Sequence, residues 1–236
     1  MSKRNAMPLI APSLICTDLC NIAGDIRELE AAGVDLLHVD LIDAHFSPSM
    51  PMGIEVVQAV RRITELPFDV HLMVENNEFF IRELIKVGVQ QMCFHYESAL
   101  HVDRLLGLIQ DHGVKAGIAL TPATPVSVLD CIVGRLDFVL LMLINPGFAG
   151  HHDEKQVPYA LQKVEACRNY LDQHGRDIPI EIDGRVSIEG IPALVAAGAD
   201  ILVTGSKSMF HPDGTISENA EKTRQAIGTG LKLVVD

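Results

Sequence analysis

A chain of 236 residues with a net charge of -12 and a hydrophobic share of 48% carries enough apolar material for a substantial core, and too little positive charge for a general nucleic-acid or anionic-membrane surface. No apolar run reaches the roughly 18 residues that span a bilayer, and the polar start is followed by no signal-peptide pattern, so a cytoplasmic protein is expected. Without a low-complexity tract or a Pro/Gly/Ser linker, residues 1–236 are expected to form one domain. The five cysteines, odd in number and without Cys-x-x-Cys spacing, read as reduced and mostly buried rather than as disulfides or a zinc knuckle.

Along the chain, short β-branched or apolar runs alternate with longer amphipathic ones, the pattern of repeated βα units. Strands are predicted over 9–13, 34–41, 68–73, 91–95, 115–120, 138–143, 178–183 and 201–204. Helices are predicted over 19–32, 54–63, 79–87, 102–111, 126–133, 157–173, 188–197 and 217–228. Gly33, Gly88 and Gly198 stand where a helix C-cap leads into the next strand. Eight such units close most economically into a (β/α)8 TIM barrel, in which chemistry sits at the C-terminal ends of the strands.

Those ends carry the candidates. The first strand offers Ser13 and the second His38 and Asp40, whose two-residue spacing puts both side chains on one face of a strand otherwise apolar. An ionisable pair there needs a compensating ion, partner or substrate. The third strand offers His71, the sixth Met142 and the seventh Asp183. Two imidazoles and two carboxylates at one barrel mouth suit a divalent first-row ion. His95, ending the fourth strand, reads as structural and is left outside the site. The long sixth βα loop, 145–154, with His151-His152, has the length and glycine content of a lid. Three glycine-bearing turns meet at this mouth: Asn145-Pro146-Gly147-Phe148-Ala149-Gly150, Asp183-Gly184-Arg185 and Thr204-Gly205-Ser206. Their backbone N–H groups suit a phosphate, so a phosphorylated substrate is expected.

The chain resembles the ribulose-phosphate 3-epimerase family over nearly its whole length. The resemblance rests on Ala11-Pro12-Ser13, His38-Val39-Asp40, Asp43 with His45-Phe46 and Pro48, Asp69-Val70-His71-Leu72-Met73-Val74, Asn145 to Gly150, Glu181-Ile182-Asp183-Gly184 and Gly205-Ser206. It implies a ribulose-phosphate-binding type of barrel and one divalent ion (Zn, Fe, Mn or Co) held by His38, Asp40, His71 and Asp183. It implies that Asp40 and Asp183 are also the catalytic proton-transferring pair, inverting C3 of a ketose phosphate of the D-ribulose 5-phosphate/D-xylulose 5-phosphate type through an enediolate. Ser13, His71, Met73 and Met142 would line the sugar, with Gly147, Phe148, Ala149, Gly150, Gly184, Arg185, Gly205 and Ser206 around it and its phosphate. Relatives form homo-oligomers through barrel helices.

The pattern is broken at several positions. The usual Met-Asp-Gly-His is Ile42-Asp43-Ala44-His45, and the second glycine of Asp-Gly-Gly is Arg185. Leu143 replaces a small hydroxyl residue, and His151 stands in place of a lid glutamine. All of these positions would surround the substrate, which leaves allulose 6-phosphate or a tetrulose 4-phosphate as alternatives. Arg185 is expected to reach into the anion pocket and suit a shorter or differently placed phosphate. A decarboxylase or aldol-type lyase of the same barrel class would need a lysine among the carboxylates, and none lies between Lys3 and Lys86. A catalytically idle sugar-phosphate binder is the remaining reading, opposed by the complete acid/base pair.

Overall fold

The computed structural model describes residues 7–147 and 154–234. Eight strands alternate with helices: β1 (Leu9–Pro12), α1 (Ile22–Ala31), β2 (Leu37–Ile42), α2 (Ile54–Arg61), β3 (Phe68–Met73), α3 (Asn77–Val87), β4 (Gln91–His95), α4 (Val102–Gln110), β5 (Lys115–Leu120), β6 (Phe138–Met142), α5 (Ala160–Gln173), β7 (Ile180–Asp183), α6 (Ile191–Ala196), β8 (Ile201–Thr204) and α7 (Ile216–Leu233). Every ladder is parallel, in the order β1-β8-β7-β6-β5-β4-β3-β2. Between β1 and β2 the seam is closed by a single bridge, Ser13 to His38, together with the amides of Asp35 and Leu36, which donate to the Ile10 carbonyl at 3.1 and 3.3 Å. The nearly closed barrel is therefore stitched shut beside the residues its sequence singles out.

The sequence explains the layers. β2 and β3 are buried along their whole length, as strands covered by helices on one face and barrel interior on the other must be. Alternate residues of β6 and its extension, Phe138, Leu140, Met142 and Ile144, pack inside the barrel with Cys93 and Ala119. Gly117 on β5 leaves the space into which the Phe138 ring fits. Outside, the strands bury Leu37, Val39, Leu72 and Leu141 against apolar helix faces such as Ile81 and Leu84 of α3. The predicted helix end at Gly88 is a left-handed C-cap with φ 83°.

One predicted helix is absent. Over 126–133 the chain makes only a 3-10 turn, Val126–Leu129, followed by further turns. Pro122 and Pro125 bias the residues before them away from helical backbone, and β-branched Val126 and Val128 add little propensity. The carbonyls of Thr121, Pro122 and Thr124 instead accept from the Lys163 ammonium of α5. The cysteines also differ from expectation: Cys93 and Cys167 are buried, but Cys20 and Cys131 are exposed and Cys16 is half-buried, because they fall in surface turns rather than on core faces. Among the described residues, no helix is long and apolar enough to cross a membrane.

Candidate active site

Register brings the polar residues into two tiers. β2 and β3 pair His38 with Asp69 and Asp40 with His71, while β6 and β7 pair Met142 with Asp183. In the upper tier, nearest the mouth, one donor atom from each of His38, Asp40, His71 and Asp183 lies within 4.8 Å of every other. Asp40 Oδ1 is 3.3 Å from His38 Nε2 and 3.3 Å from His71 Nδ1, and His71 Nδ1 is 3.6 Å from Asp183 Oδ2. Charge-assisted hydrogen bonds close to about 2.7–2.9 Å. Donors held about 2.0–2.2 Å from a tetrahedral ion stand roughly 3.3–3.6 Å from one another, so these spacings suit a shared cation better than direct pairing. His38 Nε2, fully buried, has no hydrogen-bond partner, a cost that a metal bond would remove. The residues present fit a divalent ion.

The lower tier orients the upper one. His38 Nδ1 donates to Asp69 Oδ2 at 2.6 Å, so that in the neutral ring Nε2 would turn its lone pair toward Asp40. Asp69 Oδ1 accepts from Gln91 Nε2 at 2.9 Å, and Glu181 Oε1 lies 3.2 Å from His38 Nδ1. Burial and the adjacent Asp69 carboxylate push Glu181 well up, making it the protonated member of that group. Burial opposes charge on His38, yet the Asp40 and Asp69 carboxylates outweigh it and push the imidazole well up in the absence of an ion. Burial likewise opposes charge on Asp40, but His38 and His71 hold its carboxyl far below the usual range, so it is ionised. Ser13 Oγ donates to Asp40 Oδ2 at 2.6 Å.

Above the cluster is a cavity of about 60 Å³, room for roughly four to six water positions. Ser13, Asp40 and Asp183 line it, together with the apolar side chains of Met73, Met142 and Ile42. Gly147, Gly184, Arg185, Gly205 and Ser206, from the loops after β6, β7 and β8, also line it, and it shares Arg185, Ser206 and Lys207 with a second cavity edged by Pro51, Phe210 and Pro212. Gly147 and Gly184 have φ of 82° and 117°, and a Cβ on either would collide, with the Ser47 hydroxyl or with Ile144. Phe148, Ala149, Gly150 and the His151-His152 pair lie outside the described residues. Cys16 also lines the cavity, but burial and Asp40 push its thiol up to about 11, which leaves it a poor nucleophile.

The two filled glycine positions are the two non-glycine residues with positive φ among the described residues: Ala44 at 62° and Arg185 at 53°. The left-handed region costs an ordinary side chain about 1–2 kcal/mol. At Arg185 the backbone is held by Gln156 Nε2, which donates to the Gly184 and Arg185 carbonyls at 2.9 and 3.1 Å. Its guanidinium donates to the Glu154 carbonyl at 3.1 Å and reaches Ser206 Oγ at 3.4 Å, so it spans the loops that follow β6 and β8 and faces the cavity. Asp43 accepts from the amides of His45, Phe46 and Glu75, clamping the β2 loop to the β3 loop.

The sequence reading gives no site role to Asp69, Glu181, His95 or Glu97. The first two were within reach: Asp69-x-His71 and Glu181-x-Asp183 repeat the two-residue spacing of His38-x-Asp40, which puts each pair on one strand face. His95 stands one hydrogen bond behind the cluster, its Nε2 2.9 Å from His71 Nε2 and its ring 4.6 Å from that of Phe46. Burial pushes it down to about 4, so it is neutral near pH 7.

Comparison with known proteins places the chain in a family. The Ribulose-phosphate 3 epimerase family matches residues 9–209. Ribulose-phosphate 3-epimerase 1 of Cupriavidus necator is 42% identical over 208 residues, 86% of this chain and 85% of its own. The ribulose-phosphate 3-epimerases of Bacillus subtilis and Escherichia coli are 40% and 39% identical, covering 84% and 87% of this chain and 90% of each of theirs. Among solved structures, 3-hexulose-6-phosphate synthase of Salmonella typhimurium superposes with a TM-score of 0.66 over 95% of this chain and all of its own, at 11% identity, a likeness of fold alone. From the spacing of its motifs, its parallel barrel and its relatives, the chain belongs to the ribulose-phosphate 3-epimerase family, carbohydrate epimerases of the isomerase class.

Proposed function

We propose that this protein inverts C3 of a ketose phosphate of the D-ribulose 5-phosphate/D-xylulose 5-phosphate type, with Asp40 and Asp183 as the proton-transferring pair. The observation that carries the reading is the placement of two carboxylates in one cluster with two imidazoles, at donor spacings that suit a single ion, beside a cavity also lined by glycine turns. His38, Asp40, His71 and Asp183 would hold a divalent ion, Zn²⁺, Fe²⁺, Mn²⁺ or Co²⁺. When bound, such an ion supplies Lewis-acid stabilisation of the negative charge that develops beside the ketone.

The remaining work falls to the chain. Asp40, held ionised, accepts the C3 proton, and Ser13 keeps its carboxylate turned to the sugar. Asp183 is the more open of the two acids, 18% exposed against 4%, and gives a proton to the opposite face. Reversing the roles runs the reaction backward. Met73, Met142 and Ile42 exclude water from the carbanionic carbon. Backbone amides at Gly147, Gly184, Gly205 and Ser206 receive the phosphate.

Arg185 narrows the substrate. An arginine kept at positive φ, with its guanidinium held between two loops at the anion end, adds a cation where backbone alone would serve. This is the observation behind the alternative substrate, a ketose phosphate whose phosphate is shorter in reach or differently placed, such as a tetrulose 4-phosphate. The test is wash-in of solvent deuterium at C3 across four-, five- and six-carbon ketose phosphates, with and without chelator, for wild type and Arg185→Gly. Binding without exchange for every sugar would convert the protein into a sugar-phosphate binder; an unchanged chain-length preference in Arg185→Gly would remove the arginine's role.

A further inference from the structure

Behind His71 runs a line of hydrogen bonds that ends on a carboxylate no family motif quoted above includes. His71 Nε2 and His95 Nε2 face each other at 2.9 Å, a gap that holds one proton. His95 Nδ1 is 3.1 Å from Glu97 Oε2. Glu97 Oε1 accepts from the Thr121 amide at 2.9 Å and from the Thr124 hydroxyl. Lys163 in turn grips the carbonyls of Thr121, Pro122 and Thr124 and fixes that loop.

The direction of this line is decided at Glu97. Burial opposes charge on Glu97, but the His95 and Thr124 hydrogen bonds outweigh it and hold the carboxyl down at about 2, so it can only accept. His95 must then carry its proton on Nδ1 and offer a lone pair from Nε2. The proton in the gap belongs to His71 Nε2, so in the neutral ring that would meet an ion His71 Nδ1 is left bare on the side of Asp40 and Asp183. Reverse the line and the result reverses too. With His95 protonated on Nε2, the tautomer it prefers without such an acceptor, the gap is filled from the His95 side and the His71 proton moves to Nδ1, where it blocks a metal bond.

We propose that Glu97 is a positioning residue that fixes the tautomer of His71 through His95 and so readies His71 Nδ1 to bind the ion. The inference rests on the reading of His71 as a ligand. It makes a near-isosteric substitution informative. In Glu97→Gln the Thr121 amide and Thr124 hydroxyl, both donors, draw the side-chain carbonyl, and the NH₂ is turned onto His95 Nδ1, reversing the line at little cost in packing.

The experiment measures Zn²⁺ and Co²⁺ affinity by chelator competition on the purified chain at fixed pH, together with the visible spectrum of the Co²⁺ form. Glu97→Gln is expected to bind each ion about 10–100-fold more weakly, the range for loss of a partner behind a ligand, with the chelated protein still folded. His95→Leu cuts the line, so His95→Leu/Glu97→Gln is expected to bind no more weakly than His95→Leu. Wild-type affinity in Glu97→Gln, or the same loss with and without His95, overturns the inference alone. A wild type with no affinity for any divalent ion overturns the reading of the metal site and this inference with it. Should the variants fail to fold, ¹⁵N spectra of the zinc-loaded wild type decide: His95 protonated at Nδ1 supports the proposal and His95 protonated at Nε2 overturns it.

Discussion

Replacing Asp69 with asparagine tests how the lower tier serves the upper. Asp69 is fully buried, and its Oδ2 accepts from His38 Nδ1 at 2.6 Å, a charge-assisted bond. Hydrogen bonds to a charged group are worth about 1.5–3 kcal/mol and neutral ones about 0.5–1.5 kcal/mol, so the exchange removes roughly 1–2 kcal/mol of support for the tautomer with Nε2 bare. If His38 holds an ion through Nε2, the loss appears as about 5–30-fold weaker binding, overlapping the range seen when a partner behind a ligand is removed. The assay is chelator competition for Zn²⁺ at pH 7.5, with far-UV circular dichroism to show that the barrel persists. Affinity within twofold of wild type in a folded Asp69→Asn protein would refute the reasoning, because the shortest hydrogen bond to His38 would then have no bearing on its free nitrogen.

Other consequences are checked as directly. Ser13→Ala takes a donor from a buried carboxylate and is expected to lower kcat by about 10-fold or more, since such bonds are worth on the order of 1.5–3 kcal/mol; an unchanged kcat would remove Ser13 from the reaction. Ala44→Gly relieves about 1–2 kcal/mol of left-handed cost against about 0.4–1 kcal/mol of added chain entropy, so Tm is expected to stay level or rise by a few degrees, and a clear fall would contradict the strain argument. His95 is pushed down from 6.5 to about 4, so its contribution to stability is complete above pH 6.5 and is lost as pH falls toward 4. With chelator present, wild type is expected to lose on the order of 2–3 kcal/mol more than His95→Gln over that interval in urea unfolding; parallel curves would show that His95 is not buried neutral.

The barrel was legible because its period is strong. Eight apolar runs such as Phe68–Met73 and Phe138–Met142 have the length and spacing that parallel strands require, and Gly88 marks a helix end by its αL backbone. The segment after β5 misled because Val126, Leu129 and Val133 have helical spacing, while the structure there is set by prolines and by a lysine about 40 residues away. In the site, His38, Asp40, His71 and Asp183 were readable from strand position alone. His95 was not, because nothing local tells a core histidine from one that backs a ligand; the difference lies in which ring it meets across the β3–β4 ladder. The filled glycines at Ala44 and Arg185 were visible as departures, but the positive φ that gives them meaning is a property of the folded turns.

Whether Asp40 and Asp183 exchange protons with opposite faces of one carbon is decided by incorporation of solvent deuterium at C3, followed separately from each epimer of the ketose phosphate at saturating divalent ion. Asp183→Asn is expected still to exchange the C3 hydrogen of the epimer facing Asp40 while inversion falls by several orders of magnitude, and Asp40→Asn to show the mirror result. Inversion at the wild-type rate in either variant, or undiminished turnover by protein stripped of every divalent ion, would contradict it.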